Sequence, residues 1–470
     1  MAELLSLIDK IKDVKLDRLW KWMKGDDLGG SRARLPWRLF WTGLIVRLLY
    51  IVLAHSYHFR ALNDHFQYGW EAGRIARALA TGYGYADPFS GHTGPTAWLT
   101  PIYPLIMAGA FKLFGVYTPL SAFAILAVNS IFSAATAPAV YEIAWRCYDA
   151  QGFGRRVALW SGWIWALYPA ALQYAVRWLW EMSITACVFA WILVIALRFR
   201  RIGDTSSTPE HNAVCLWSFF GVLWAAVALS NPSLLLTLPV TAIWMLMGSQ
   251  NGVEIRKNLT RAGLAAILFL CCTAPWVYRN WRVFQAFIPT RGNFGAELCQ
   301  SVLPSNGGFP WGGTIPPTTA SPEFQRYRSI GEVAYVREQG AKANVIIATD
   351  RSRIVGYAFK RIYFFWFGVP KPAEQGILVE ATRRLNYCFI TMAALMGLAL
   401  SLHRKVPAAG LFASIFLVMP LPYYMLTVQA RFRHPLEPVM TVLIVFLFQS
   451  AVIKRTRDTS KKRVSAGAAR

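Results

Sequence analysis

The chain has 470 residues, of which 55% are hydrophobic and 16% charged, with a mean hydropathy of +0.35. Apolar residues at that density, gathered into runs long enough to cross a bilayer, exclude a soluble globular domain and predict an all-α polytopic membrane protein. The formal charge of +25 sits mostly in short segments between apolar runs and at the two ends, so it reads as membrane topology and argues against nucleic acid as a partner.

In chain order, residues 1–36 place Leu4, Leu7, Ile8, Ile11, Val14, Leu19, Trp20, Trp22 and Met23 near the spacing of one apolar helical face. This predicts an interfacial helix on the cytoplasmic side, or a helix packed against the bundle. No small-residue cleavage site follows the first apolar run, so no cleavable signal peptide is expected. The predicted membrane domain covers 37–453. Its spans fall near 37–54, 120–145, 157–174, 181–197, 213–229, 234–247, 262–278, 387–402, 408–427 and 435–453, about ten in all within a range of ten to twelve. A short apolar helix at 102–115 leads into the second span. Basic residues alternate between loops and place both termini, including the tail 454–470, in the cytoplasm.

By that parity two long polar segments face outward together, 57–104 and 279–384. The first carries Asp64 and Glu71, seven residues apart and so on one helical face about two turns from each other, with Tyr68 between them. The second opens with a Gly- and Pro-rich stretch and continues in a helical pattern whose last turns are aromatic enough for the bilayer surface. No internal repeat is evident, which counts against an inverted-repeat transporter.

Two outer segments over a helical bundle suit a substrate with a polar head and a long chain. Asp64 is placed to take a proton from an attacking hydroxyl or amine, as glycosyl transfer requires. A phosphate leaving group needs positive charge rather than an acid, and the cations that stand where outer loops meet spans are Arg279, Arg291, Arg431 and Arg433. Guanidinium binds two phosphate oxygens at once, although arginines at a membrane edge also hold bulk lipid phosphates. Glu71 is a second carboxylate or pairs with Arg74 or Arg77. Tyr68 and Glu181 are candidate substrate contacts, and an acid at a helix start is also favoured by the dipole. His65, His92 and His434 have no ligand spacing, and the seven cysteines none either. Six cysteines lie in or beside apolar runs and only Cys299 falls in a long polar segment, so packing explains most of them.

The early Asp64, the ALATGYGY segment and PTAWLTPIYPLIMAGAFKLFG resemble the first loop of the GT-C superfamily of glycosyltransferases, in particular the glycosyltransferase 39-like group. Relatives in that group include protein O-mannosyltransferases and the aminoarabinose transferase of lipid A. Three later stretches, APWVYRNWRVFQAFIPTRGNFGAEL, IGEVAYVREQGAKANVIIATDRSRIVGYAFKRIYFFWFG and ARFRHPLEPVM, are similar to the group in the same order. The resemblance implies a bundle in the inner membrane with its site outside the cytoplasm and a polyprenyl-phosphate-linked sugar as donor. It carries the family's catalytic Asp onto Asp64 and the phosphate-binding arginine onto Arg279. Two departures stand out: Asp64-His65 where several relatives have Asp-Glu, and Leu99-Thr100-Pro101 where the lipid A enzymes have Glu-Lys-Pro. The missing Lys shifts the phosphate role to the arginines.

The expected activity is therefore transfer of a hexose or pentose from polyprenyl phosphate to an extracytoplasmic lipid, glycan or protein, with inversion. No cofactor is assigned, and a divalent metal is left open. The alternatives are a transporter or flippase of lipid-linked sugars, or a non-catalytic relative.

Overall fold

A computed structural model describes residues 21–24, 34–59, 68–203, 210–248, 252–308, 321–369 and 376–451. Among them the chain is helical with no named strand, and a single antiparallel bridge joins Ala86 to Pro95. Six helices are long and apolar enough to cross a membrane: α1 (Arg34–Leu53), α4 (Pro119–Tyr148), α7 (Met182–Phe199), α10 (Gly252–Phe284), α15 (Ile377–His403) and α18 (Ala430–Ala451). Four shorter apolar helical stretches accompany them: Ile102–Phe114, Ala213–Ala228, Pro232–Leu246 and Ala409–Met425. The chain is a helical membrane protein.

Three predicted spans are broken in the structure, each at a proline, while α10 and α15 extend beyond the predicted 262–278 and 387–402. The span expected at 157–174 is two helices, α5 (Gly154–Leu167) and α6 (Pro169–Val176). Tyr168 adopts an extended conformation ahead of Pro169, as residues preceding proline do. The stretch at 234–247 is a 3-10 turn over Pro232–Leu236 followed by the ten-residue α9 (Thr237–Leu246). Pro420 likewise separates α16 (Ala409–Val418) from α17 (Leu421–Met425).

The longest helices set the frame. α4 starts on a Thr118 cap that accepts from the Ser121 amide, with Pro119 in the first turn, and runs 30 residues, about 45 Å. It packs against α1, α5, α6, α7 and α3 (Ile102–Phe114) and forms the centre of the largest buried core. Arg47 of α1 is fully buried in that core and donates to Ser133 Oγ, Gly43 O and Ala166 O at 3.1, 2.8 and 2.8 Å. Its charge is thus spread over groups that hydrocarbon would leave unsatisfied. α8 (Glu210–Ala228) lies tight against α10, where a Cβ on Gly221 would sit 2.2 Å from Ala265 O. Small residues of this kind let helix backbones meet within a membrane.

Outside the bundle the two long polar segments fold onto each other. The first holds α2 (Glu71–Ala80) and a tight loop over 81–100. The second holds α11 (Phe294–Val302), α12 (Pro322–Ile330), α13 (Glu332–Thr349) and α14 (Arg351–Phe367). α10 continues to Phe284 and α15 begins at Ile377, so the second segment is shorter at both ends than the polar run suggests. A separate small core of Phe89, Trp98, Ala296, Phe324, Tyr327 and Tyr335 joins the two segments. Of the expected N-terminal interfacial helix, residues 21–24 are described. Trp22 packs on Trp163 with ring centroids 5.5 Å apart, and the Trp163 indole donates to Met23 O at 3.0 Å. The rest of that helix and the basic tail 454–470 lie outside the described residues.

Candidate active site

The site is built where the first polar segment meets the start of α7 and the start of α18. Gly69, with φ +81°, lets the chain pass so close to residue 179 that a Cβ there would lie 2.4 Å from Leu179 O. Only glycine combines that φ with that approach. The contact seats Glu71, the first residue of α2, beside the Trp178–Glu181 turn. Asp64 and His65 lie outside the described residues, four and three positions before Tyr68.

Arg431 enters from the opposite side, at the head of the 3-10 turn Ala430–Leu436. Its guanidinium lies 3.9 Å from the Trp180 ring centroid, and Trp180 is itself stacked on Trp178 at 4.6 Å and 14°. Arg431 lies in the field of Glu181, Glu71 and Glu297. Among the described residues it makes no hydrogen bond or ion pair, and its Nε is buried without a partner. An arginine in a field of three carboxylates that it does not touch keeps its fork of donors available for an anion.

Arg291 and Glu297 complete the cluster from the second polar segment. Arg291 donates to Trp98 O at 3.3 Å and lies 3.9 Å from Glu297, which accepts from Asn293 at 3.1 Å. Burial pushes the Glu71 carboxyl above the usual range, opposed mainly by its own helix-start amide and by Arg74. A carboxyl so placed titrates nearer neutrality, as groups that exchange protons in catalysis do.

The other sequence-predicted residues are placed elsewhere. Tyr68 is buried against Phe59, Phe111 and Tyr117, and its hydroxyl donates to Thr118 O at 3.1 Å, so ring and hydroxyl are both engaged in packing. Arg279 donates to Tyr85 O at 2.7 Å and Thr96 O at 2.6 Å and lies over the Tyr85 and Trp276 rings, so it shapes the first polar segment from the end of α10. Arg433 is 1% exposed and points into the bundle, with Thr391 Oγ1 at 2.8 Å and Glu437 at 3.3 Å. His92 pairs with Asp87 at 2.9 Å and His434 with Glu437 at 2.7 Å. No group of three His, Cys, Asp or Glu able to hold a metal occurs among the described residues.

The residues that sequence reasoning passed over are Trp180, Glu297 and Glu332. Glu332 is buried, and its carboxylate accepts from Thr96 Oγ1 at 2.5 Å, Ala97 N at 2.6 Å and Tyr327 OH at 2.8 Å. Both glutamates stand in stretches that carry the family resemblance, GNFGAEL and IGEVAYV, but nothing in their local pattern distinguishes them from exposed helical acids.

No family model matches the chain, and no curated protein does. Several solved structures are similar to it in part. The apo oligosaccharyltransferase of Archaeoglobus fulgidus matches with TM-score 0.47 and 13% identity over 90% of this chain and 52% of that one. The same organism's AglB, in complex with an inhibitory peptide and a dolichol-phosphate, gives 0.44 and 12% over 90% and 52%. ArnT from Cupriavidus metallidurans bound to undecaprenyl phosphate gives 0.36 and 16% over 86% and 77%. The chain thus spans about half the length of the archaeal chains it matches, and its function is read below from its own residues.

Proposed function

We propose that this protein is an integral membrane glycosyltransferase that moves a sugar from a polyprenyl-phosphate donor to an acceptor outside the cytoplasm. The observation that carries the reading is the convergence of Arg431 and Arg291 with Glu71, Glu181 and Glu297 at the meeting of the two polar segments and the bundle. A carboxylate takes the proton of the acceptor hydroxyl or amine, the acceptor oxygen or nitrogen bonds to the anomeric carbon, and the bond from that carbon to the phosphate oxygen breaks. The phosphate leaves as an anion that needs cations, not an acid.

Asp64 takes the base role, on the family resemblance and on its place four residues before Tyr68. Glu71 is the second carboxylate and Glu181 a contact to substrate. Arg431, with Arg291 as a second cation, receives the phosphate, while Arg279 and Arg433 act through the structure around it. Purified protein given labelled phosphopolyprenol sugars and an acceptor panel of glycolipid, glycan and peptide is expected to transfer label in detergent without a gradient. Asp64→Asn should reduce that transfer by at least ~100-fold; full transfer by the variant would remove Asp64 from the mechanism.

A further inference from the structure

The turn that begins α18 sends two nearby arginines in opposite directions. Arg431 goes to the Trp180 face and the carboxylate cluster, whereas Arg433 goes inward, 3.3 Å over the centroid of the Tyr387 ring. One carboxylate, Glu437, holds the inward side with both oxygens. Oε1 accepts from Arg433 Nη2 at 3.3 Å, and Oε2 lies 2.7 Å from His434 Nδ1. His434 lies nearly parallel to Trp165, 5.6 Å away at 25°, and its other face neighbours Tyr174 at 4.7 Å. The exposures of Arg433, His434 and Glu437 are 1%, 0% and 3%.

Buried ionic trios are a poor source of stability, because apolar residues of the same volume pack at lower desolvation cost. What this trio does supply is a fixed backbone. The turn Ala430–Leu436 is a 3-10 helix with Pro435 inside it, a form whose own hydrogen bonds are weak and in which residues three apart lie on one face. Arg431 and His434 are such a pair, and Tyr174 lies against His434. Holding His434 and Arg433 therefore sets the direction in which Arg431 leaves the chain.

We propose that Glu437 is a positioning residue for Arg431, fixing the turn so that the guanidinium stays over Trp180 and open to the donor phosphate. This rests on the reading of Arg431 as the phosphate contact. The test uses purified full-length protein and undecaprenyl phosphate without sugar as the probe. Affinity and thermal midpoint are measured for Glu437→Gln, Thr391→Val, Arg431→Ala and the Glu437→Gln/Arg431→Ala pair, and the rate of Arg431 modification by phenylglyoxal, read by peptide mass spectrometry, for the wild type, Glu437→Gln and Thr391→Val.

A misdirected donor fork should weaken binding ~10-fold in Glu437→Gln and less in Thr391→Val. The same Glu437 change should add under ~2-fold once Arg431 is gone, because the two act through one contact. The phenylglyoxal rate at Arg431 should change several-fold in Glu437→Gln and by less, in the same direction, in Thr391→Val. A lowered thermal midpoint with wild-type affinity and wild-type Arg431 reactivity would overturn the proposal and leave the trio as packing. Absence of undecaprenyl phosphate binding by the wild type would instead overturn the donor-phosphate reading, and the phenylglyoxal rates would then decide the positioning role alone. If Glu437→Gln does not fold, Thr391→Val carries the comparison.

Discussion

Four arginines were candidates for the donor phosphate from the sequence, and the family resemblance favoured Arg279 among them. The difference between them is a matter of what each guanidinium touches. Arg279 is spent on two loop carbonyls and Arg433 on a buried glutamate, while Arg431 touches only aromatic faces among the described residues. No spacing rule separates these cases, because the carbonyls that occupy Arg279 belong to residues 85 and 96, nearly two hundred positions away. Glu71 was legible as a carboxylate near Asp64, but its burial was not. That burial has a signed consequence. A group that must be ionised to work gains activity as pH rises through its pKa, and burial lifts the Glu71 value above the ordinary glutamate range, which centres near about 4.3. The acid limb of the kcat/KM profile of purified protein should therefore lie above that range and move to lower pH in Glu71→Gln, where Asp64 alone sets it; an unmoved limb would assign it to another group.

At the scale of elements, apolar run length located α1, α4, α7, α10, α15 and α18 within a few residues at most of their ends. Broken helices such as α5–α6 were less legible, since Pro169 reads locally as a tolerated helix start and not as the end of a span. The union of the two polar segments was anticipated from parity, but the element that makes it, α13, offered no signal for its first residue. Glu332 joins α13 to the loop carrying Thr96 and Ala97. Glu332→Ala should strand those donors and the Tyr327 hydroxyl at a cost of about 3 kcal/mol, seen as faster hydrogen exchange over residues 85–98. Burial also raises the Glu332 pKa, so its contribution to stability is fully present below the unfolded pKa and is lost as pH rises through the folded one. The thermal midpoint should fall with rising pH in that window, and Glu332→Gln should flatten the fall.

For the whole molecule, the class was legible from composition alone, whereas the sequence named Glu71, Glu181, Arg291 and Arg431 without showing that they converge. The proposed parity puts Ala150 and Ser329, both exposed, on opposite sides. In a cysteine-free background, single cysteines at these two positions should react with a membrane-impermeant maleimide from opposite faces of sealed vesicles. Reaction from one face would remove the shared outer side of the two polar segments and with it the proposed site.

The grip of Glu332 on Thr96 spans 236 positions of chain, and this bears on synthesis. A ribosome delivers residues in order at roughly 5–20 per second, so the first polar loop is threaded out many seconds before its partner exists. Over that interval Asp87, Thr96 and Trp98, all buried in the finished protein, have no second segment to cover them. The joined polar segments that carry the proposed site are thus completed only after α13 emerges, and a nascent chain halted before α13 would carry every element up to α12 yet present an unclosed first polar segment to proteases and chaperones.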